Sequence, residues 1–286
     1  MNYNIIEHKS VGIIYYYKVG SRFLDAYFSK YNEFPSSDFL RYFIQPSVDI
    51  ERDDSIKIGK YYIEPKMAPN NSMVNKILKN ELVDKPILLL YRHPYEKTIS
   101  GLCEDFHEEF MRDEDSVHYI DLNSFYKYIE DTNHSKVYLY FLHKICKGLN
   151  TLDTLSFISK NSDLEESYIS LLKKYVEYRI GTNEIGDNGH TEFHTEKTFI
   201  ILNELHPNQK YQLVNLDDKE KNLGSILDTY KIHKNDMYID KNEYSNNGYK
   251  VKLNNTLELK TQQQLYDILK KEMEFYDKLN NIANTQ

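Results

Sequence analysis

A run of five apolar residues, Ile87 to Tyr91, gives way to Arg92, His93 and Pro94, after which Tyr95, Ile99, Leu102, Phe106 and Phe110 recur at helical spacing. The run is too short for a helix and too uniformly apolar for a half-exposed strand, so it reads as a strand covered on both faces, the habit of parallel sheets. Pro94 suits the first position of a helix, where its missing N–H is not needed. One sheet edge therefore presents Arg92 at a strand end, able to make paired hydrogen bonds to an oxyanion, and Ser100 about two turns into the next helix, able to add a hydroxyl. A purely structural alternative pairs Arg92 with Glu96 or Glu104 and leaves Ser100 to pack.

A second unit of the same kind lies upstream. The aromatic strand Val11 to Tyr17 runs into Lys18, Val19, Gly20, Ser21, Arg22 and Phe23, and then into a segment with Leu24, Tyr27, Phe28 and Tyr31 on one helical face. Gly20 lets the backbone curl tightly, and the N–H groups of Ser21, Arg22 and Phe23 open a helix at its positive end, a geometry that binds phosphate or sulfate. Lys18 adds a point charge that can neutralise a departing phosphate oxygen. The alternative is an ordinary turn with a solvated lysine. Taken together, the two turns fit a nucleotide carrying phosphates at both ends.

The remaining signals extend this pattern. Residues 32–57 read as irregular, residues 60–64 as a short strand, and Met73, Ile77 and Leu82 as a connecting helix. Further helices are expected over 122–131, 137–146 and 165–178, a late strand over 211–216 and a closing amphipathic helix over 261–279. Alternating strands and helices predict an α/β fold with a mainly parallel central sheet flanked by helices. In 286 residues no Pro-, Gly- or Ser-rich linker appears, so a single domain covering residues 1–286 is expected. The polar segment before Val11 has no room for a charged and then apolar leader, and no run approaches a membrane span, which places the chain in the cytoplasm with no membrane partner. A formal charge of -8 argues against a nucleic-acid partner, so any anion must be gripped locally. Cys103 and Cys146 are too few for a disulfide framework or a cysteine metal site.

Residues 16–23 and 90–100 together resemble the two cofactor signatures of sulfotransferases that use 3′-phosphoadenosine 5′-phosphosulfate (PAPS), carbohydrate-type members being the nearest likeness. The resemblance implies a P-loop-like sulfotransferase fold. It also implies that Lys18, Gly20, Ser21, Arg22 and Phe23 hold the 5′-phosphosulfate while Arg92 and Ser100 hold the 3′-phosphate. The product would be adenosine 3′,5′-bisphosphate (PAP), with no metal required. Residues 211–218 and the helix through Phe275, Tyr276 and Asp277 are similar to the family's later elements. Arg22 departs from the threonine that many members carry, exchanging a hydroxyl for a guanidinium of different reach.

Transfer to a hydroxyl needs a group that takes the acceptor's proton. Glu64 stands in the region where the resemblance implies a base, with Lys66 nearby; the plain alternative is a solvated strand-end carboxylate. His190 matches a histidine-bearing acceptor-side segment, beyond the stretch 181–189, which reads as flexible; the plain alternative is a solvated loop histidine. His194 lies four residues on, but the zinc-binding pattern H-E-x-x-H needs Glu where Thr191 stands. The expected acceptor is a hydroxyl-bearing partner, a glycan or a small molecule, and residues 32–57 and 181–195 would shape its cleft. The sequence leaves the oligomeric state open. Two rivals remain: a nucleotide-dependent kinase, disfavoured because no second glycine precedes Lys18 and no Ser or Thr follows it to hold magnesium, and a noncatalytic nucleotide-binding module.

Overall fold

A computed structural model describes residues 3–16, 18–28, 39–44, 56–58, 61–63, 73–111, 157–160, 162–186, 189–217, 220–233 and 246–286. The chain forms two compact units that interleave along the sequence: Met1–Pro94, Phe193–Ile239 and Lys271–Gln286 make the first, and Tyr95–Glu192 with Asp240–Lys270 the second. Interleaving of this kind leaves no linker for a sequence to display.

The first unit is an α/β assembly. Its strands are β1 (Tyr3–His8), β2 (Gly12–Tyr15), β3 (Phe39–Ile44), β4 (Ile56–Ile58), β5 (Tyr61–Ile63), β6 (Ile87–Tyr91) and β7 (Tyr211–Asn215). Among the described residues they form one seven-stranded sheet in the order β5-β4-β3-β1-β2-β6-β7. The sheet is mixed, which corrects the expectation of a mainly parallel one. Only β2–β6 and β6–β7 run parallel, whereas β1–β2, β1–β3, β3–β4 and β4–β5 run antiparallel.

The antiparallel half comes from segments whose local signals are weak. Tyr3–His8 carries Asn4 and Glu7 and reads as polar, yet Tyr3, Ile5, Ile6 and His8 are buried once the strand lies between β2 and β3. A tight turn closes its hairpin with β2, the His8 N–H donating to the Val11 carbonyl at 3.0 Å. The stretch 32–57, expected to be irregular, holds β3 and the first two residues of β4.

The parallel half follows the sequence reading. All five residues of β6 are buried, and Gly12, Ile13 and Ile14 lie opposite Ile87, Leu88 and Leu89. Helices α1 (Ser21–Phe28), α2 (Met73–Leu78), α5 (Thr195–Glu204), α6 (Ser225–Thr229) and α9 (Lys270–Ala283) accompany the sheet, and Leu24, Phe28, Val74, Ile201, Leu227 and Leu279 join its core. Leu82 is exposed and lies beyond α2.

The second unit is helical among the described residues: α3 (Pro94–Met111, after its first residue), α4 (Ser162–Gly181), α7 (Asn246–Thr256) and α8 (Leu259–Ile268). Its core is aromatic. Phe106 of α3 packs between Tyr168 and Tyr175 of α4, ring centroids 5.4 Å away in both cases, and Tyr168 meets Tyr249 of α7 at 5.1 Å. The single closing helix expected over 261–279 is two helices, α8 and α9, separated at Leu269. The helices expected over 122–131 and 137–146 lie outside the described residues. No helix among the described residues is long and apolar enough to cross a membrane.

Candidate functional site

The bend after β2 is built from two left-handed residues. Lys18 has φ 60° and Gly20 φ 78°, with the buried Val19 between them. Glycine takes this conformation freely, whereas lysine does so at a cost. The Val19 N–H donates to the Tyr16 carbonyl at 3.1 Å, and the Gly20 carbonyl accepts from the Leu24 N–H at 2.9 Å, which starts α1. The amides of Ser21, Arg22 and Phe23 therefore open the helix without acceptors inside it, at its positive end. Gly20 is required for a second reason: a Cβ there would lie 2.6 Å from Leu216 Cδ1.

Arg92 follows β6, the parallel neighbour of β2, and Lys18 follows β2, so the two arrive at the same end of the sheet. The Arg92 guanidinium is largely buried and donates from Nη1 to the Lys18 main-chain oxygen at 3.3 Å. Within the first unit, the structure thus brings together Lys18, Gly20 and Arg92.

Behind Arg92 stands a buried network that sequence reasoning missed. His194 Nε2 lies 3.2 Å from the Arg92 main-chain nitrogen and 3.0 Å from its oxygen. The His194 N–H donates to Glu272 Oε2 at 2.8 Å, the Thr195 N–H and hydroxyl do the same at 2.8 Å, and the Glu196 N–H reaches Oε1 at 3.2 Å. Glu272 thus closes the N-terminus of α5, supplying the negative charge that a helix start favours. His194 acts as a strut between Arg92 and this closed helix start. The Thr195 and Glu196 that follow it form a helix-start pattern that a sequence scan can find; the partner carboxylate, 77 positions from Thr195, it cannot.

A second network lies at the ends of β6 and β7. Tyr276 donates its hydroxyl proton to Asp217 Oδ2 at 2.5 Å, and Asp217 Oδ1 accepts from the His93 N–H at 3.2 Å. Asn215 Nδ2 bonds the Tyr276 hydroxyl at 3.0 Å and Asn280 Oδ1 at 3.1 Å, and Tyr91 donates to Asn280 Oδ1 at 2.7 Å. Burial, then the hydrogen bond to Asp217, push the Tyr276 phenol above its usual range; burial is also the main cause for Tyr91, followed by Tyr276 and Asp217. Both tyrosines are neutral donors here. Residues 211–217 and Tyr276, noted separately in the sequence, meet in space.

Ser100 and His190 belong to the second unit, where α3 holds the segment 190–192 along one face. Lys97 Nζ donates to the Glu192 carbonyl. One turn on, Gly101 makes room for the backbone of His190, since a Cβ there would lie 2.4 Å from the His190 oxygen. A further turn on, the fully buried Asp105 bonds His190 Nδ1 at 2.7 Å. Arg179 Nη1 lies 3.8 Å from the other Asp105 oxygen. Arg179 also donates from Nη2 to the Glu184 carbonyl at 2.6 Å, so the start of the stretch expected to be flexible is tied down. An imidazole fixed through Nδ1 by a carboxylate is oriented to take a proton at Nε2.

Glu64 and Lys66 lie outside the described residues, as do the side chains of Ser21 and Arg22. Glu96, one of the structural partners considered for Arg92, is bonded by Lys250 instead. No family model, curated protein or solved structure matches this chain.

Proposed function

We propose that this protein is a cytoplasmic, PAPS-dependent sulfotransferase of P-loop-like fold that moves a sulfuryl group to a hydroxyl of a glycan or small-molecule acceptor. The observation that carries the reading is the contact between Arg92 and Lys18. Arg92 and Lys18, read from separate stretches of sequence as oxyanion ligands, follow neighbouring parallel strands and touch at 3.3 Å. Crevices at the carboxyl ends of such strands are where α/β folds bind ligands.

In this reading the amides of residues 21–23 and Lys18 hold the 5′-phosphosulfate, and Arg92 holds the 3′-phosphate. The acceptor oxygen forms a bond to sulfur as the bond from sulfur to the bridging phosphate oxygen breaks. The electron pair leaves with PAP, where Lys18 offsets the charge, and the acceptor proton passes to a base. Glu64 and His190 are the two candidates for that base, and His190 is bonded through Nδ1 to Asp105. No metal ion is assigned a role.

Calorimetric titration with PAP, paired with transfer of labelled sulfate from PAPS to a mixture of glycans and simple alcohols, tests the proposal. Arg92→Ala should weaken PAP about ten- to a hundredfold, the worth of hydrogen bonds to a charged group. Unchanged PAP affinity in that variant would sink the cofactor assignment. PAP binding without transfer to any acceptor would favour a noncatalytic module, and a response to ATP with magnesium but not to PAP would favour a kinase. Loss of transfer in His190→Ala with PAP affinity retained identifies the base, whereas the same loss in Glu64→Gln but not His190→Ala reassigns it.

A further inference from the structure

We propose that the cavity beside β7 binds an uncharged polyhydroxylated ligand, a sugar or polyol, at a site separate from the Lys18–Arg92 grip. The cavity has a volume of about 670 Å³ and lies wholly within the first unit. That volume is in the range of small-molecule sites, about 300–1,000 Å³. Its floor is aliphatic, with Val214, Ile226 and Ala283, and its walls are amides: Gln212, Asn215, Asn222, Asn280 and Asn284.

The lining decides the ligand's charge. Among the described residues it contains no Lys, Arg or His, and its one ionisable carboxylate is Asp217, so a phosphate or sulfate would meet negative charge and no counter-charge from them. Neither Lys18 nor Arg92 lines it. Amide side chains each offer a donor and an acceptor, the pairing that a hydroxyl, itself donor and acceptor, satisfies in either sense.

Part of this surface is fixed in advance and part is left open. The bonds from Asn215 to Asn280 and Tyr276, and from Tyr91 to Asn280, hold the inner amides in place. Among the described residues, the side chains of Gln212 and Asn284 make no hydrogen bond to the protein, and Asn222 uses only its Nδ2, which donates to the Asn215 carbonyl at 2.8 Å. A rigid inner wall with unspent donors and acceptors at the rim favours binding, because fewer groups must be ordered by the ligand.

Two other occupants fit less well. A nucleobase calls for an aromatic or flat apolar face to stack on, and the only aromatic residue among the described lining residues, Tyr91, is fully buried and bonded through its hydroxyl. An extended peptide would pair with the outer edge of β7. That edge is already met by side chains: Gln286 Oε1 accepts from the Leu213 N–H at 3.0 Å, and Asn222 takes the Asn215 carbonyl.

The proposal does not rest on sulfuryl transfer and is tested without it. Saturation-transfer NMR on the full chain would use methyl glucoside, methyl galactoside, methyl mannoside and sorbitol as probes, with glucose 6-phosphate, adenosine and an extended peptide as counter-probes. At least one neutral probe should receive saturation. Gln212→Leu and Asn284→Leu, which alter exposed side chains without partners, should each weaken it about fivefold, the worth of one neutral hydrogen bond. The thermal midpoint and PAP affinity should stay unchanged. Silence from every neutral probe would overturn the proposal, as would binding that neither variant alters. Stronger binding of glucose 6-phosphate, adenosine or the peptide, weakened by the same variants, would overturn it in favour of that ligand.

Discussion

Arg92 donates from Nη1 to the main-chain oxygen of Lys18 at 3.3 Å, so the residues that follow two adjacent parallel strands are joined across 74 positions of sequence. The lysine at that joint carries a positive φ, a conformation costing a non-glycine residue about 1–2 kcal/mol. A residue held in strain at the best-placed cation of a site points to a chemical reason for keeping it.

Lys18→Gly should therefore separate stability from activity. Removing the strain should stabilise the fold by up to about 1 kcal/mol, roughly 2 °C in the thermal midpoint for a chain of this size. On the proposed function, sulfuryl transfer should fall by about a hundredfold or more, the worth of one preorganised charge at a leaving oxygen. Scanning calorimetry and the labelled-sulfate assay give both readings, and Lys18→Ala should show the loss of transfer without the gain in stability.

Gly101→Ala places a methyl group 2.4 Å from the His190 carbonyl and should cost about 1–3 kcal/mol, since backbone has little room to yield. Gly181→Ala is the matched control at the end of α4, where nothing lies within 4 Å of the added carbon and the helix should gain about 0.5 kcal/mol. Urea unfolding of the two variants should show opposite signs. Equal midpoints would mean that α3 and residues 190–192 do not pack as described.

Glu272→Ala leaves the N–H groups of His194, Thr195 and Glu196 without their acceptor in a buried setting and should cost about 3 kcal/mol or more. Glu272→Gln keeps one acceptor oxygen and should fall between wild type and alanine. The order of the three urea midpoints is the check.

Alkaline pH should destabilise the fold in a defined window. Burial, followed by Glu204, pushes the Tyr3 phenol up to about 12; burial, followed by Tyr266 and Glu96, does the same for Tyr95. Unfolded tyrosine ionises near 10. Below pH 10 both states keep the proton and these groups add no pH dependence. Between about 10 and 12 the unfolded chain releases protons that the folded chain retains, so stability falls as pH rises. With 26 tyrosines and no tryptophan, tyrosinate absorbance reports this directly: an early exposed fraction, then a later one that appears together with unfolding. Complete ionisation near pH 10 in a chain that keeps its far-ultraviolet dichroism would contradict it.

The elements legible in the sequence were those whose signal is local. The apolar run at Ile87, the proline at 94 and the spacing of Tyr95, Ile99, Leu102 and Phe106 fixed β6 and α3, and the lysine-glycine bend fixed the end of β2 and the start of α1. What was not legible depended on partners far away. β1, β3 and β4 are strands because they pair with one another and with β2, and β-propensity follows such neighbours. The break at Leu269 has neither Pro nor Gly to announce it. In the site, Arg92 and His190 were readable as residue types, but Asp105 lies 85 positions from His190 and Glu272 lies 78 from His194. A mid-helix glycine between Lys97 and Asp105, four residues from each, was the one available hint that a backbone crosses α3 there.

Three successive turns of α3 clasp residues 190–192 through an ammonium, an absent side chain and a carboxylate. The histidine is thereby mounted on the helix like a tooth on a shaft. Any twist or slide of α3 about its own axis re-aims the imidazole by the same amount, so a remote perturbation of that helix would be felt at His190 before it was felt as a loss of folding.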